Sequence, residues 1–155
     1  MSEPKQGQCL CGQVKITATP AQQNFSVCHC RMCRQWGGGP LFAIPCGQSV
    51  VVEGQENVQE FDSSPWAKRG FCRHCGTHLY YRVKKSNEFN VPLGLLENMD
   101  NTNMAMQYFI DLKPSNYCFN NQTEMLTSAQ IEAYFAKVMA EAKAEAAAKR
   151  QSQID

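Results

Sequence analysis

The chain contains no run approaching the roughly 18 consecutive apolar residues that a membrane-spanning helix requires, so no transmembrane segment is expected. It also has almost no net charge, since 15 Lys and Arg against 14 Asp and Glu give +1. Without a basic stripe there is little to attract nucleic acid or an anionic membrane surface, and neither is expected as a partner. The opening Met1-Ser2-Glu3-Pro4-Lys5-Gln6 lacks an apolar core, so no secretory leader is expected. No linker breaks the 155 residues, and a length of this order suits one domain spanning 1–155.

What the chain has in abundance is cysteine, nine residues in all. An odd count without a leader argues for thiols kept reduced, in a cytoplasmic setting, and against a disulfide framework. Seven fall into tight groups: Cys9 with Cys11, then Cys28, Cys30 and Cys33, then Cys72 with Cys75. Cys46 and Cys118 stand alone and read as small buried hydrophobes.

The scaffold around these groups reads as short strands. Val14, Ile16 and Ala18 alternate with Lys15 and Thr17, as in a half-buried strand. Similar β-branched or aromatic runs lie at 25–28, 41–44, 49–53, 58–61, 78–83, 88–95 and 107–112. A mainly β domain over 6–126 is expected, after a flexible 1–5. One C-terminal amphipathic helix is expected over 127–150. Thr127 and Gln130 form a capping box, and Ile131, Tyr134, Phe135, Val138 and Met139 recur at helical spacing to face the sheet. The Ala-rich continuation has high propensity but little to bury. It should end exposed and fray over 151–155, with a homodimer contact as the alternative.

Cys9-Leu10-Cys11-Gly12 and Cys72-Arg73-His74-Cys75-Gly76 are both short Cys turns ending in glycine, which tolerates the φ > 0 geometry of a chain curling under a metal. Together they offer four thiolates, the closed set of a structural Zn²⁺ site, although iron takes the same ligands. Cys28-His29-Cys30-Arg31-Met32-Cys33 offers three, the pattern of a zinc with an open position. A fourth ligand from His29, Cys46, His74 or His78 would make that site structural instead. Three thiolates on Zn²⁺ sum to −1, a charge less suited to making hydroxide than to holding a soft thiolate. Thiol chemistry is expected ahead of hydrolysis. Spacing alone leaves the pairing open, because Cys30 and Cys33 could join Cys72 and Cys75 as a zinc ribbon. Nucleobase deamination is excluded, since no His is followed two residues on by Glu.

Near the three-Cys group, Gly37 and Gly38 could let a peptide-like ligand approach the backbone, or could simply form a tight connection. Arg34 and Arg69 are candidates to meet ligand carboxylates, with Arg31, Lys68 and Arg73 also close in sequence to the cysteines. His29 reads as a flanking residue, with proton transfer as the alternative.

Taken in order, Gly7-Gln8-Cys9-Leu10-Cys11-Gly12-Gln13-Val14, Cys28-His29-Cys30-Arg31-Met32-Cys33-Arg34 and Arg69-Gly70-Phe71-Cys72-Arg73-His74-Cys75-Gly76-Thr77-His78-Leu79 resemble the glutathione-dependent formaldehyde-activating enzyme family, which includes centromere protein V. The resemblance runs over 6–126. It implies a zinc-stapled β-tent fold with two zinc ions per chain. Cys9, Cys11, Cys72 and Cys75 match the structural ligands, and Cys28, Cys30 and Cys33 the catalytic ones, with the fourth position open to the thiol of glutathione. Partial loss of that second zinc is expected. The implied activity is that of a carbon–sulfur lyase or S-(hydroxymethyl)glutathione synthase, acting on glutathione or a related thiol with formaldehyde or another small electrophile. The alternative is a non-catalytic zinc-stapled binding module.

Overall fold

A computed structural model describes residues 2–154; Met1 and Asp155, which belong to the expected flexible 1–5 and fraying 151–155, lie outside the described residues. In chain order the elements are β1 (Lys5–Gln8), β2 (Lys15–Ala18), β3 (Asn24–Cys28), α1 (Arg31–Gly37), β4 (Leu41–Gly47) and β5 (Val50–Glu53). There follow β6 (Val58–Asp62), β7 (Ala67–Cys72), β8 (His78–Val83), β9 (Phe89–Pro92), β10 (Asn103–Tyr108), β11 (Glu124–Leu126) and α2 (Ser128–Ile154). The chain is mainly β, as expected.

The strands form two sheets. One has three antiparallel strands in the order β1-β2-β5. The other has eight, in the order β11-β10-β3-β4-β9-β8-β7-β6, antiparallel except where β10 lies parallel to β3 and β11. Alternation decides which faces meet. Ile16 and Ala18 of β2 turn inward, and with Ile44, Leu79, Tyr80 and Val91 from the large sheet they form one apolar cluster. Cys9 and Cys72 complete the cluster, each 0% exposed, so sulfur is part of the core.

Several elements differ from the sequence reading, each for a local reason. β1 (KQGQ) carries no apolar signal and exists because β2 pairs with it. β7 is buried on both faces, including Arg69 and Gly70, so it lacks the alternation of a half-buried strand. The run at 88–95 stops being a strand at Pro92 and turns 3-10 over Leu93–Leu95. The run at 107–112 breaks at Phe109, whose φ of 57° is left-handed, ahead of a 3-10 turn at Ile110–Leu112. α1 was not expected, and it begins where Cys30 caps it.

The C-terminal helix starts as its capping box dictates. Thr127 N–H donates to Gln130 Oε1 at 2.8 Å, and Gln130 N–H returns to Thr127 Oγ1 at 3.3 Å. Asp111 adds bonds to the Ser128 N–H and hydroxyl, at 2.7 and 2.8 Å. Two expectations are corrected: α2 stays helical to Ile154, and its apolar face is not laid on the sheet along its length. Ile131 and Ala142 are buried, whereas Tyr134, Phe135 and Val138 are exposed. The helix rests on two points, with Lys85 paired to Glu141 and Lys143 over Trp66 near the second.

Gly70 offers a direct test of how β7 packs. A Cβ there would lie 2.4 Å from Cζ of Tyr80, whose buried ring is tethered by its hydroxyl to Glu60 Oε1 at 2.8 Å. Gly70→Ala should lower unfolding free energy by about 1–3 kcal/mol, the usual range for overpacking. A urea midpoint equal to wild type would mean that the ring is not held as described.

Candidate metal centre and a cavity beside the first helix

The first thiol group is built by two turns of the same design. Between β1 and β2, Cys9 N–H donates to Val14 O and Gly12 N–H to Cys9 O. Between β7 and β8, Cys72 N–H donates to Thr77 O and Gly76 N–H to Cys72 O. Gly12 and Gly76 take φ of 77° and 78°, the left-handed region in which a side chain would be strained. The turns bring Cys9, Cys11, Cys72 and Cys75 together, with all four Sγ atoms within 4.8 Å of one another. Cys9 and Cys11 sulfurs lie 3.5 Å apart, and Cys11 and Cys72 3.7 Å. A tetrahedron of Zn–S bonds near 2.3 Å has edges of about 3.8 Å, so this donor set fits such an ion. Val14 N–H points at Cys9 Sγ at 3.3 Å, and the Thr77 hydroxyl lies 3.2 Å from Cys75 Sγ, helping to lower the Cys75 pKa to about 5.

The second group sits where β3 passes into α1. Cys28 ends the strand, Cys30 caps the helix by accepting the Cys33 N–H at 3.3 Å, and Cys33 lies in the first turn. Their three sulfurs also fall within 4.8 Å of one another. No further His, Cys, Asp or Glu joins them among the described residues. The four candidates for a fourth ligand are engaged elsewhere. His29 bonds Tyr117 and Gln107, Cys46 Sγ donates to Ile44 O, His74 bonds Asn57, and His78 stacks on Trp36 at 4.6 Å. Either group could hold a metal ion and is compatible with zinc.

Charge in the three-Cys group is tightly shared. Hydrogen bonds from Cys28, and then Cys33, lower the Cys30 pKa to about 2, while Cys30 pushes the Cys28 thiol upward. Three sulfurs this close do not all ionise by themselves, but a cation among them removes that limit. Arg69 supplies part of the compensation. It is only 4% exposed, and its Nη2 donates to Cys33 Sγ at 3.5 Å. Its guanidinium lies over Tyr81 at 5.3 Å and Trp36 at 5.9 Å, while its buried Nε has no protein partner among the described residues.

Beside α1 lies a cavity of about 520 Å³ lined by Arg31, Arg34, Gln35, Gly38, Gly39, Pro40, Pro114, Asn116 and Tyr117. Of the residues singled out for ligand contact, Arg34 and Gly38 line it, whereas Gly37 and Arg69 do not. Gly38 also has a backbone task, ending α1 at φ 86° with its N–H on Arg34 O at 2.8 Å. Cys46 is buried as expected, but Cys118 is exposed, because the segment around it runs over the surface. Sequence reasoning missed Tyr117, Gln107, Pro114 and Asn116. Only the proximity of Tyr117 and Phe119 to an otherwise polar stretch offered a signal. His29 is neither solvent-facing nor a mere flank: it is 0% exposed, with both ring nitrogens bonded to side chains.

A mainly β chain bearing two thiol groups suited to zinc is the class that this fold and site define. Residues 4–112 match the glutathione-dependent formaldehyde-activating enzyme family, and the chain belongs to it. An uncharacterized lyase of Schizosaccharomyces pombe is 35% identical over 127 residues, covering 81% of this chain and 93% of that protein. A Podospora anserina protein, named as a candidate glutathione-dependent formaldehyde-activating enzyme, is 34% identical over 89 residues, covering 53% of this chain and 41% of its own length. A crystal structure of a Rhodobacter sphaeroides protein superposes with a TM-score of 0.51 and 28% identity, covering 60% of this chain and 88% of that one. The family description and the relatives' names are those of enzymes. No described helix is long and apolar enough to cross a membrane.

Removing one donor of the four-Cys group should be felt throughout the fold. Cys72→Ala is expected to lower bound zinc by at least one ion per chain and to abolish cooperative thermal unfolding, since such a site can contribute on the order of 10 kcal/mol to folding. A variant that keeps wild-type metal content and Tm would contradict a metal role for this group.

Proposed function

We propose that this protein catalyses carbon–sulfur bond formation and cleavage between a thiol, glutathione or a relative of it, and formaldehyde or another small electrophile. The observation that carries this reading is the set of three sulfurs with no fourth protein donor among the described residues. In it, Cys28, Cys30 and Cys33 hold a zinc ion with one position open, and Cys9, Cys11, Cys72 and Cys75 hold a second, structural zinc. The ion in the three-Cys set, when bound, supplies the positive charge that keeps a substrate thiol ionised near neutral pH.

The remaining work falls to the chain's own groups. Arg69 places its guanidinium against Cys33 and offsets negative charge accumulating on the sulfurs. Arg31 has no protein partner among the described residues, and Arg34 uses only its Nε, on His29 O at 2.9 Å. Both therefore have N–H groups left for the carboxylates of a peptide-like thiol, for which a planar guanidinium is well shaped. Gly38 borders the same cavity and lets a ligand approach the backbone. Once the thiol is oriented, its sulfur adds to the aldehyde carbon. A C–S bond forms, the carbonyl π bond breaks, and the oxygen takes a proton to give the hemithioacetal. The reverse step breaks the same bond. Holding both reactants together is worth several kcal/mol in favourable cases. Nine cysteines, none in a disulfide, suit a reducing cytoplasmic setting.

Exchange NMR tests the reading. The exchange rate between free formaldehyde and its glutathione adduct should rise linearly with zinc-loaded protein and return to the uncatalysed value with Cys30→Ala. No acceleration by protein with both ions bound would leave a binding role. A second variant addresses the cavity. Arg31→Gln should raise KM for glutathione several-fold and leave the neutral thiol 2-mercaptoethanol unaffected. Equal effects on both thiols would remove Arg31 from carboxylate recognition.

A further inference from the structure

His29 lies between two of the three clustered thiols, and each of its polar groups is engaged. Its N–H donates to Tyr108 O at 3.0 Å, and its C=O accepts from Arg34 Nε at 2.9 Å. Its Nε2 lies 2.8 Å from Gln107 Oε1, and its Nδ1 lies 2.8 Å from the Tyr117 hydroxyl. The direction of these bonds follows from the far end of the network. Gln107 directs its amide nitrogen to Thr123 Oγ1 at 3.0 Å, which leaves the oxygen to accept from His29. Nε2 therefore carries the proton, and Nδ1 accepts from Tyr117.

Tyr117 belongs to a segment that is itself braced. Lys113 Nζ donates to the carbonyls of Pro114 and Tyr117 and stands 5.1 Å over the Tyr117 ring. The rings of Tyr117 and Phe119 flank the imidazole at 5.5 and 6.1 Å. This segment lies beyond residues 4–112, the part of the chain that matches the family. Tyr117 also lines the arginine cavity, so it touches both the cavity and the partner of the cysteine turn.

We infer that Tyr117 is a positioning residue for the three-Cys turn: by fixing the His29 ring it sets Cys28 and Cys30 at the spacing a metal ion needs. The inference rests on the reading that these cysteines hold metal. It assigns a task in that site to a residue that none of the three cysteine motifs contains. Hydrogen-bonded groups one layer out from the ligands commonly change metal affinity 10–100-fold.

The test is zinc competition against a chromophoric chelator, with Cys30→Ala identifying which class of site belongs to the three-Cys group. Tyr117→Phe keeps the ring and removes only the hydroxyl. It should weaken that class about 10–100-fold, leave the four-Cys class unchanged, and shift the ligand-field bands of the cobalt(II)-loaded protein. His29→Asn, which also removes the Gln107 bond, should lose at least as much, and the double variant no more than His29→Asn, because Tyr117 acts through that ring. Wild-type affinity and spectrum in Tyr117→Phe, additive losses in the double variant, or equal weakening of both classes would each overturn the inference. The result is independent of turnover. A wild-type protein that binds metal normally in both classes yet leaves formaldehyde exchange unaccelerated would count against the catalytic reading alone.

Discussion

The junction of four sulfurs is what the rest of this structure depends on. Cys11 and Cys72 are 61 residues apart in sequence and 3.7 Å apart in space. The strands of the small sheet are four residues long, too short to be stable without an external support. Docking onto β4, β8 and β9 gives that support, and the paired Cys turns fix where it happens. Gly7 bridges Leu96 close by, so tightly that a Cβ on Gly7 would lie 2.1 Å from Leu95 O. The same junction places β7, and β7 carries Arg69 to the second thiol group. One thiol group thus sets the position of an arginine that reaches the other.

Around the second group, positive charge is divided by burial. Arg69 is enclosed between aromatic rings and turned to sulfur, where low polarity strengthens its effect on any thiolate. Arg31 and Arg34 stand at the wall of the cavity beside α1. A surface guanidinium is screened by solvent, whereas a buried one acts on its neighbours at close to full strength.

The cysteine groups were the most legible part of the sequence, because their spacing and adjoining glycines are set by local geometry. The turns at Cys9–Gly12 and Cys72–Gly76 behave as their composition implies. Most strands were legible where one face is wet and the other dry. β7 was not, since a strand buried on both faces and carrying an arginine mimics neither pattern. Residues 113–123 were not legible either, because Tyr117 is defined by a histidine 88 residues away in sequence. The helix illustrates the opposite error. Its apolar spacing reads correctly as helical, but periodicity says nothing about whether the sheet extends far enough to meet Tyr134 and Val138. Sequence pattern specifies a face, and only tertiary structure supplies its partner.

The parallel pairing of β3 with β10 has a consequence for biosynthesis. As the chain leaves the ribosome, Cys28, Cys30 and Cys33 emerge together, well before Arg69, and 78 residues separate His29 from Gln107. During that interval the thiols lack both their compensating guanidinium and the side chains that orient the turn. The turn takes its final shape only when β10 adds beside β3.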